Sequence, residues 1–219
     1  MVTGVQTCAL PISRWVLVGD DFRFGARRAG DVVMLKQAAA RRGFEVAALA
    51  SIAMEGERVS STAVREALAG GDLNRAGRLL GRAYSISGRV TRGDGLGRKL
   101  GFHTANVQMK HNRPPLTGIF AVRLHGAGRE PLPGVASLGV RPTVRQGGAP
   151  VLEVHVLDFS SDLYRCHVRV EFLHKFRDEE KYADLATLTR QISLDVEDAR
   201  AYFSRQDDHR LRIFNHKGH

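Results

Sequence analysis

The chain has 219 residues, 43% of them hydrophobic and 26% charged, with a formal net charge of +10. That is room for one full domain and part of a second, with the composition of a globular chain rather than a disordered one. No apolar run approaches the roughly 20 residues needed to cross a bilayer. The opening MVTGVQTCALPIS lacks the basic start and the apolar run of a signal peptide, so neither membrane nor export is expected and the cytoplasm is.

Residues 1–13 carry neither helical nor strand periodicity and read as a foreign segment. At Arg14 the character changes. Trp15 to Val18 is a short apolar strand running into Gly19-Asp20-Asp21, as strands do in βα units. Asp31 to Arg42 has Val32, Val33, Leu35 and Ala39 on one helical face, Gly43 stops it, and Phe44 to Ala50 reads as a second strand. Two strands and one helix are too little for a doubly wound sheet, so this α/β piece reads as cut off at its front. Ser60 or Ser61 then caps a helix ended by Gly70-Gly71, and Asp72 caps another whose apolar face is Leu73, Ala76, Leu79 and Leu80.

From Tyr84 the period changes to two. YSISGRV, GIFAVRLH, PGVASLGV, PVLEVHVLDF and CHVRVEFL are strand-like and separated by turn residues, the pattern of a closed or nearly closed antiparallel barrel. After Lys175 helix returns: Leu185, Leu188 and Ile192 share a face, a second helix covers Val196 to Phe203, and residues 206–219 read as a loose basic tail.

Several residues have the right chemistry for catalysis. The segment Gly88 to Asn106 holds Gly93, Gly95, Gly97 and Gly101 among Arg92, Arg98 and Lys99. Such glycines let backbone N–H groups approach phosphate, although the turn alone also reads as a plain hairpin and is not a Walker A loop. Thr104 and Asn106, two apart on a strand, point to one side. They offer neutral oxygen ligands suited to Mg²⁺, or simply a turn that bonds its own backbone. Glu153 is a carboxylate in a mostly apolar strand, able to accept a proton from a substrate hydroxyl, and His155 on the same side competes for that role. Cys8 and Cys166 are far apart and lack CxxC spacing, so both read as reduced thiols.

In combination these motifs resemble the riboflavin kinase family. The resemblance rests on Leu80-Gly81-Arg82 with Tyr84 to Val90, Gly93 to Arg98, and Gly101-Phe102-His103-Thr104-Ala105-Asn106. It continues through Gly118 to Val122, Gly139-Val140-Arg141-Pro142-Thr143, Leu152-Glu153-Val154-His155, Asp162-Leu163-Tyr164 and Phe176-Arg177-Asp178-Glu179. Ahead of it, Val18 to Gly25 and Ser60 to Arg65 resemble the back half of the flavin adenylyltransferase domain that bacteria fuse to the kinase as a bifunctional FAD synthetase.

The resemblance implies an α+β chain. A six-stranded antiparallel barrel with C-terminal helices (81–205) would follow a partial Rossmann-like nucleotidyltransferase remnant (14–80). It implies ATP- and Mg²⁺-dependent phosphorylation of riboflavin to FMN, with ATP/ADP, riboflavin and FMN as partners, FAD as a further candidate, and no prosthetic group. Thr104 and Asn106 would bind Mg²⁺ and the ATP phosphates, under a loop containing Gly93, Gly95, Gly97 and Arg98. Glu153 would be the general base, and Arg177 would hold the flavin or its new phosphate. Ser61, Thr62 and Arg65 would be what remains of the adenylyltransferase site. Two departures stand out: His103 where the family usually has proline, and no HxGH-type motif. The second implies that FAD synthesis is lost. The rival readings are an intact bifunctional FAD synthetase and a non-catalytic basic barrel that binds RNA. RNA binding is disfavoured because, within the basic stretch from Arg82 to Arg113, only Tyr84 and Phe102 could stack on bases.

Overall fold

The structure is a computed structural model and describes residues 14–93, 97, 100–109, 113–140 and 150–216. The chain divides between Val59 and Ser60 into two compact units.

In the first unit β1 (Trp15–Gly19) and β2 (Glu45–Leu49) pair in parallel, Trp15 opposite Glu45 and Gly19 opposite Leu49. Between them runs α1 (Val32–Arg42). Asp31 caps it by accepting the Met34 N–H at 2.9 Å, and Gly43 ends it in the left-handed conformation at φ 73°. A short hairpin that the periodicity does not reveal follows, β3 (Ala53–Met54) and β4 (Glu57–Arg58), turning on Glu55 and Gly56. Both turn residues have positive φ, 52° and 81°, as a tight two-residue hairpin requires. The Ser51 hydroxyl and N–H donate to the Asp20 carboxylate at 2.8 and 2.9 Å, and these bonds, the hydroxyl's foremost, hold its pKa below the usual value. Parallel strands are normally covered on both faces. Here Trp15, Leu17 and Leu49, which share one face, are exposed.

The second unit opens with α2 (Ser61–Ala69) and α3 (Leu73–Leu80). Ser60 accepts the Ala63 N–H at 3.1 Å and Asp72 the Arg75 N–H at 2.8 Å, so both expected caps are formed. Ala67, Leu68, Leu73 and Ala76 enter the same apolar cluster as the barrel interior, so in packing these helices go with the barrel.

The barrel has six antiparallel strands: β5 (Ser85–Thr91), β6 (Thr104–Gln108), β7 (Gly118–His125), β8 (Leu132–Val140), β9 (Pro150–Val156) and β10 (His167–Arg177). They close in the order β10-β5-β6-β9-β8-β7, the architecture expected from the sequence. Its lumen is filled by side chains such as Phe120, Leu138, Leu152, Val154, Val170 and Phe172, as in other small barrels. Phe120 meets Phe172 edge to face at 5.2 Å. Truncating a phenylalanine in such a core costs about 3–5 kcal/mol, so this contact is a main anchor.

One wall of the barrel is also buried on its outside. Ile119, Ala121, Val135 and Leu157 form a second apolar cluster with Ala199 and Phe203 of α4 (Leu185–His216). The sequence suggests two helices and a tail after Arg205, but α4 is one helix that continues to His216. Nothing between Ile192 and Val196 breaks it. Ser193 bonds back to the Thr189 carbonyl at 3.1 Å, and Asp195 does not cap a new helix because its carboxylate is engaged by Arg177. Asp184 caps α4, accepting the Thr187 N–H at 2.7 Å.

Candidate active site

Because the lumen is packed, chemistry has to sit at a barrel end or on the outer wall. Alternation decides which residues face out. Ala105, Val107, Leu152 and Val154 point inward, so Thr104, Asn106, Glu153 and His155 point to the outer face, toward the side covered by α4. The ladder aligns them. Thr104 stands opposite His155, and Asn106 opposite Glu153, which in turn faces Ser137 on β8.

Two cavities adjoin this array. One, of about 320 Å³, lies between the outer wall, α4 and the segment after β10. Its apolar lining includes Phe102, Val135, Ile192 and Val196, and its polar lining includes Glu153, His155, Arg177 and Tyr182. The other, of about 560 Å³, lies at the rim between the β5–β6 connection and residues 159–164, and includes Arg92, Gly93, Asp162 and Tyr164. Thr104 and Asn106 line both. A group held by these two side chains is within reach of occupants of both cavities.

The glycines beside them are required by close approach. A Cβ at Gly97 would lie 2.9 Å from Thr104 Oγ1 and 2.7 Å from the Phe102 carbonyl. A Cβ at Gly93 would fall on the Asn106 side-chain amide. Gly93 and Gly97 are thus pressed against the two candidate ligand residues, which a plain hairpin does not need. Gly95 and Arg98, also expected in this loop, lie outside the described residues.

His155 is oriented by its neighbour. Its Nδ1 lies 3.0 Å from the His103 carbonyl. A carbonyl only accepts, so Nδ1 carries the proton and Nε2 is the acceptor in the neutral ring. This bond ties down the backbone just before Thr104, where the sequence departs from the family's proline.

Arg177 reaches the cavity of about 320 Å³ under α4 because β10 is bulged. Its pairing with β7 slips between Phe172 and His174 and again between Lys175 and Arg177, leaving Arg177 opposite Ile119. There Nε donates to Asp195 Oδ1 at 2.8 Å, Nη2 to Oδ2 at 2.7 Å and Nη1 to the Asp178 carbonyl at 3.0 Å. The paired carboxylate raises the Arg177 pKa above its ordinary value. Gln191 supports Asp195 with a further bond at 3.1 Å. Ser137 donates to Glu179 at 2.8 Å, and a Cβ on Gly139 would fall within that carboxylate, so the segment after β10 is latched to the outer wall.

Ser61, Thr62 and Arg65 are exposed on the first two turns of α2, in the compact unit of the barrel. The sequence reading assigned no role to Ser137, Glu179 or Asp195. Asp195 had a signal: it falls on the apolar face of Leu188, Ile192, Val196 and Ala199, where a carboxylate needs a buried partner.

A family model described as riboflavin kinase matches residues 80–203, and one described as FAD synthetase matches residues 11–63. A bifunctional riboflavin kinase/FMN adenylyltransferase of Escherichia coli K12 is 47% identical over 190 residues, covering 87% of this chain and 60% of the relative. Its counterpart in Pseudomonas fluorescens is 50% identical over 184 residues, covering 84% and 59%. The chain therefore spans about 60% of the length of the curated relatives it matches. A solved structure described as a macrolide-efflux protein from Streptococcus pneumoniae matches with a TM-score of 0.65 at 29% identity, covering 85% of this chain and 60% of that one. Among the described residues, no helix here is long and apolar enough to cross a membrane. With more than half of its length matched by that model, the chain belongs to the riboflavin kinase family.

Proposed function

We propose that this polypeptide transfers the γ-phosphoryl group of ATP to the 5′-hydroxyl of riboflavin, giving FMN and ADP. The observation that carries this reading is the meeting of two cavities at Thr104 and Asn106, with Glu153 on the cavity of more apolar lining. That cavity suits the flat, largely apolar flavin ring system, and the rim cavity beside the glycine-rich loop suits the nucleotide.

The reading assigns roles. Gly93, Gly95, Gly97 and Arg98 close over the phosphates. Glu153 accepts the proton of the attacking hydroxyl, and Arg177 binds the flavin side of the site with the donors left after its pairing with Asp195. Thr104 and Asn106 fit Mg²⁺, since both offer neutral oxygens on one face. No cluster of three His, Cys, Asp or Glu residues able to hold a metal occurs among the described residues, so the substrate phosphates would supply further ligands. When bound, Mg²⁺ neutralises phosphate charge. Positioning and one oriented base are the rest of what phosphoryl transfer asks of a protein.

Residues 81–205 are the kinase in this reading, and residues 14–80 belong to an adenylyltransferase module. Adenylyl transfer needs donors preorganised around the α-phosphate. Ser61, Thr62 and Arg65 are exposed on α2, and the described parallel sheet has two strands. The test is one incubation of the purified 219-residue chain with riboflavin and Mg-ATP, with products separated by chromatography. FMN without FAD is expected. No FMN sinks the kinase assignment, and FAD that disappears in Arg65→Ala sinks the loss of the second activity.

A further inference from the structure

One strained residue sits next to Tyr164, which lines the proposed nucleotide cavity. Arg165 has φ 67°, a left-handed conformation that glycine and asparagine accept readily and arginine does not. It occupies the third position of a tight turn closed by the Cys166 N–H donating to the Leu163 carbonyl at 3.0 Å. With positive φ confined to that position, the turn is the kind that calls for glycine there. The surroundings leave it no alternative. The Arg165 N–H donates to the Val90 carbonyl at 3.0 Å, the Val90 N–H to the Cys166 carbonyl at 2.9 Å, and the Tyr164 N–H to Asp162 Oδ1 at 2.8 Å. A side chain kept where glycine would be more comfortable points to a use for that side chain.

The contacts of Arg165 indicate the use. Its guanidinium lies 5.5 Å from the centroid of the Tyr164 ring, and that of Arg92 lies 5.1 Å from the same ring. Tyr164 is 39% exposed and lines the larger cavity together with Arg92, Gly93, Thr104 and Asn106. No ion pair to a carboxylate holds Arg92 or Arg165 among the described residues. A half-exposed aromatic ring braced by two guanidinium groups offers a nucleoside base a stacking surface and sets positive charge where a polyphosphate enters.

The geometry points to Arg165 as a positioning residue for the nucleotide, holding the Tyr164 ring as a wall for the base of a nucleoside triphosphate. This rests on the reading of the rim cavity as the ATP site. In this chain the left-handed strain is tolerated in exchange for tighter nucleotide binding.

The test uses the full chain with Arg165→Gly and Arg165→Lys, measuring melting temperature, Mg-ATP binding by calorimetry, and KM for both substrates. Arg165→Gly relieves the strain and raises the melting temperature by roughly 2–4 °C. It also weakens Mg-ATP binding by about two- to fivefold, the scale of one exposed cation–π contact, with riboflavin KM unchanged. Arg165→Lys keeps both strain and charge, and recovers most of the Mg-ATP affinity without the gain in melting temperature. Unchanged Mg-ATP affinity in Arg165→Gly overturns the inference, as does an equal loss for riboflavin or a lower melting temperature. A parent that binds Mg-ATP yet makes no FMN sinks the kinase reading alone, and the affinity ratio still decides Arg165. A parent that does not bind Mg-ATP sinks both.

Discussion

Asn106 and Glu153 stand directly opposite each other across the β6–β9 ladder, on the outer wall of the barrel. Residues so paired have Cβ atoms about 4.5–5.5 Å apart, so a phosphate held at Asn106 is next to the Glu153 carboxylate. Glu153→Gln keeps the shape and removes the proposed base. It should leave flavin binding nearly intact and lower kcat by about 10²–10⁴, the usual contribution of a general base. Parent-like turnover would shift the role to His155, whose Nε2 is the acceptor nitrogen in the neutral ring.

Thr104→Ala and Asn106→Ala should each weaken Mg-ATP binding far more than riboflavin binding. Both side chains line the rim cavity, Asn106 against Gly93 and Thr104 against Gly97, so the proposed reading gives them one shared ligand. Calorimetry with the nucleotide and flavin titrated separately provides the check, and unchanged nucleotide affinity in both variants removes them from the metal site.

Gly97→Ala adds one methyl group that meets Thr104 Oγ1 and the Phe102 carbonyl. The backbone carbonyl cannot move aside cheaply, so the loop must lift away from Thr104. Mg-ATP affinity should fall by an amount comparable to Thr104→Ala, with riboflavin affinity preserved. An additive loss in the Gly97→Ala/Thr104→Ala double variant would contradict a shared cause.

Asp195 is 4% exposed and carries two of the bonds that hold Arg177. Removing one partner of such a pair leaves an uncompensated charge and costs about 3–5 kcal/mol. Asp195→Asn should therefore lower the melting temperature by roughly 6 °C or more, at about 2–4 °C per kcal/mol for a chain of this size. Replacing both partners, as Arg177→Met with Asp195→Leu, should recover much of the stability while flavin affinity stays low. Recovery of flavin affinity in that double variant would exclude Arg177 from the flavin site.

Local chemistry was legible in the sequence because local physics sets it. Ser60 and Asp72 cap the helices they were expected to cap, since a short polar side chain ahead of an apolar period has one nearby backbone N–H to satisfy. The alternation of Glu153 and His155 against Leu152 and Val154 likewise announced a strand with two different faces. Alternation is blind to which face is the lumen and to which strand lies alongside, because period two is the same seen from either side. Only closure of the barrel set Glu153 on the outer wall opposite Asn106, under a helix more than thirty residues further along the chain. The bulges of β10 were hidden for a related reason: they arise from how β10 fits β7, and Arg177 meets Asp195 because of them. The break expected between Ile192 and Val196 failed to appear, and Asp195 inside that stretch is held by an arginine from the strand. Register, closure and buried ion pairs are relations between distant segments, and their energy exists only once those segments are packed together.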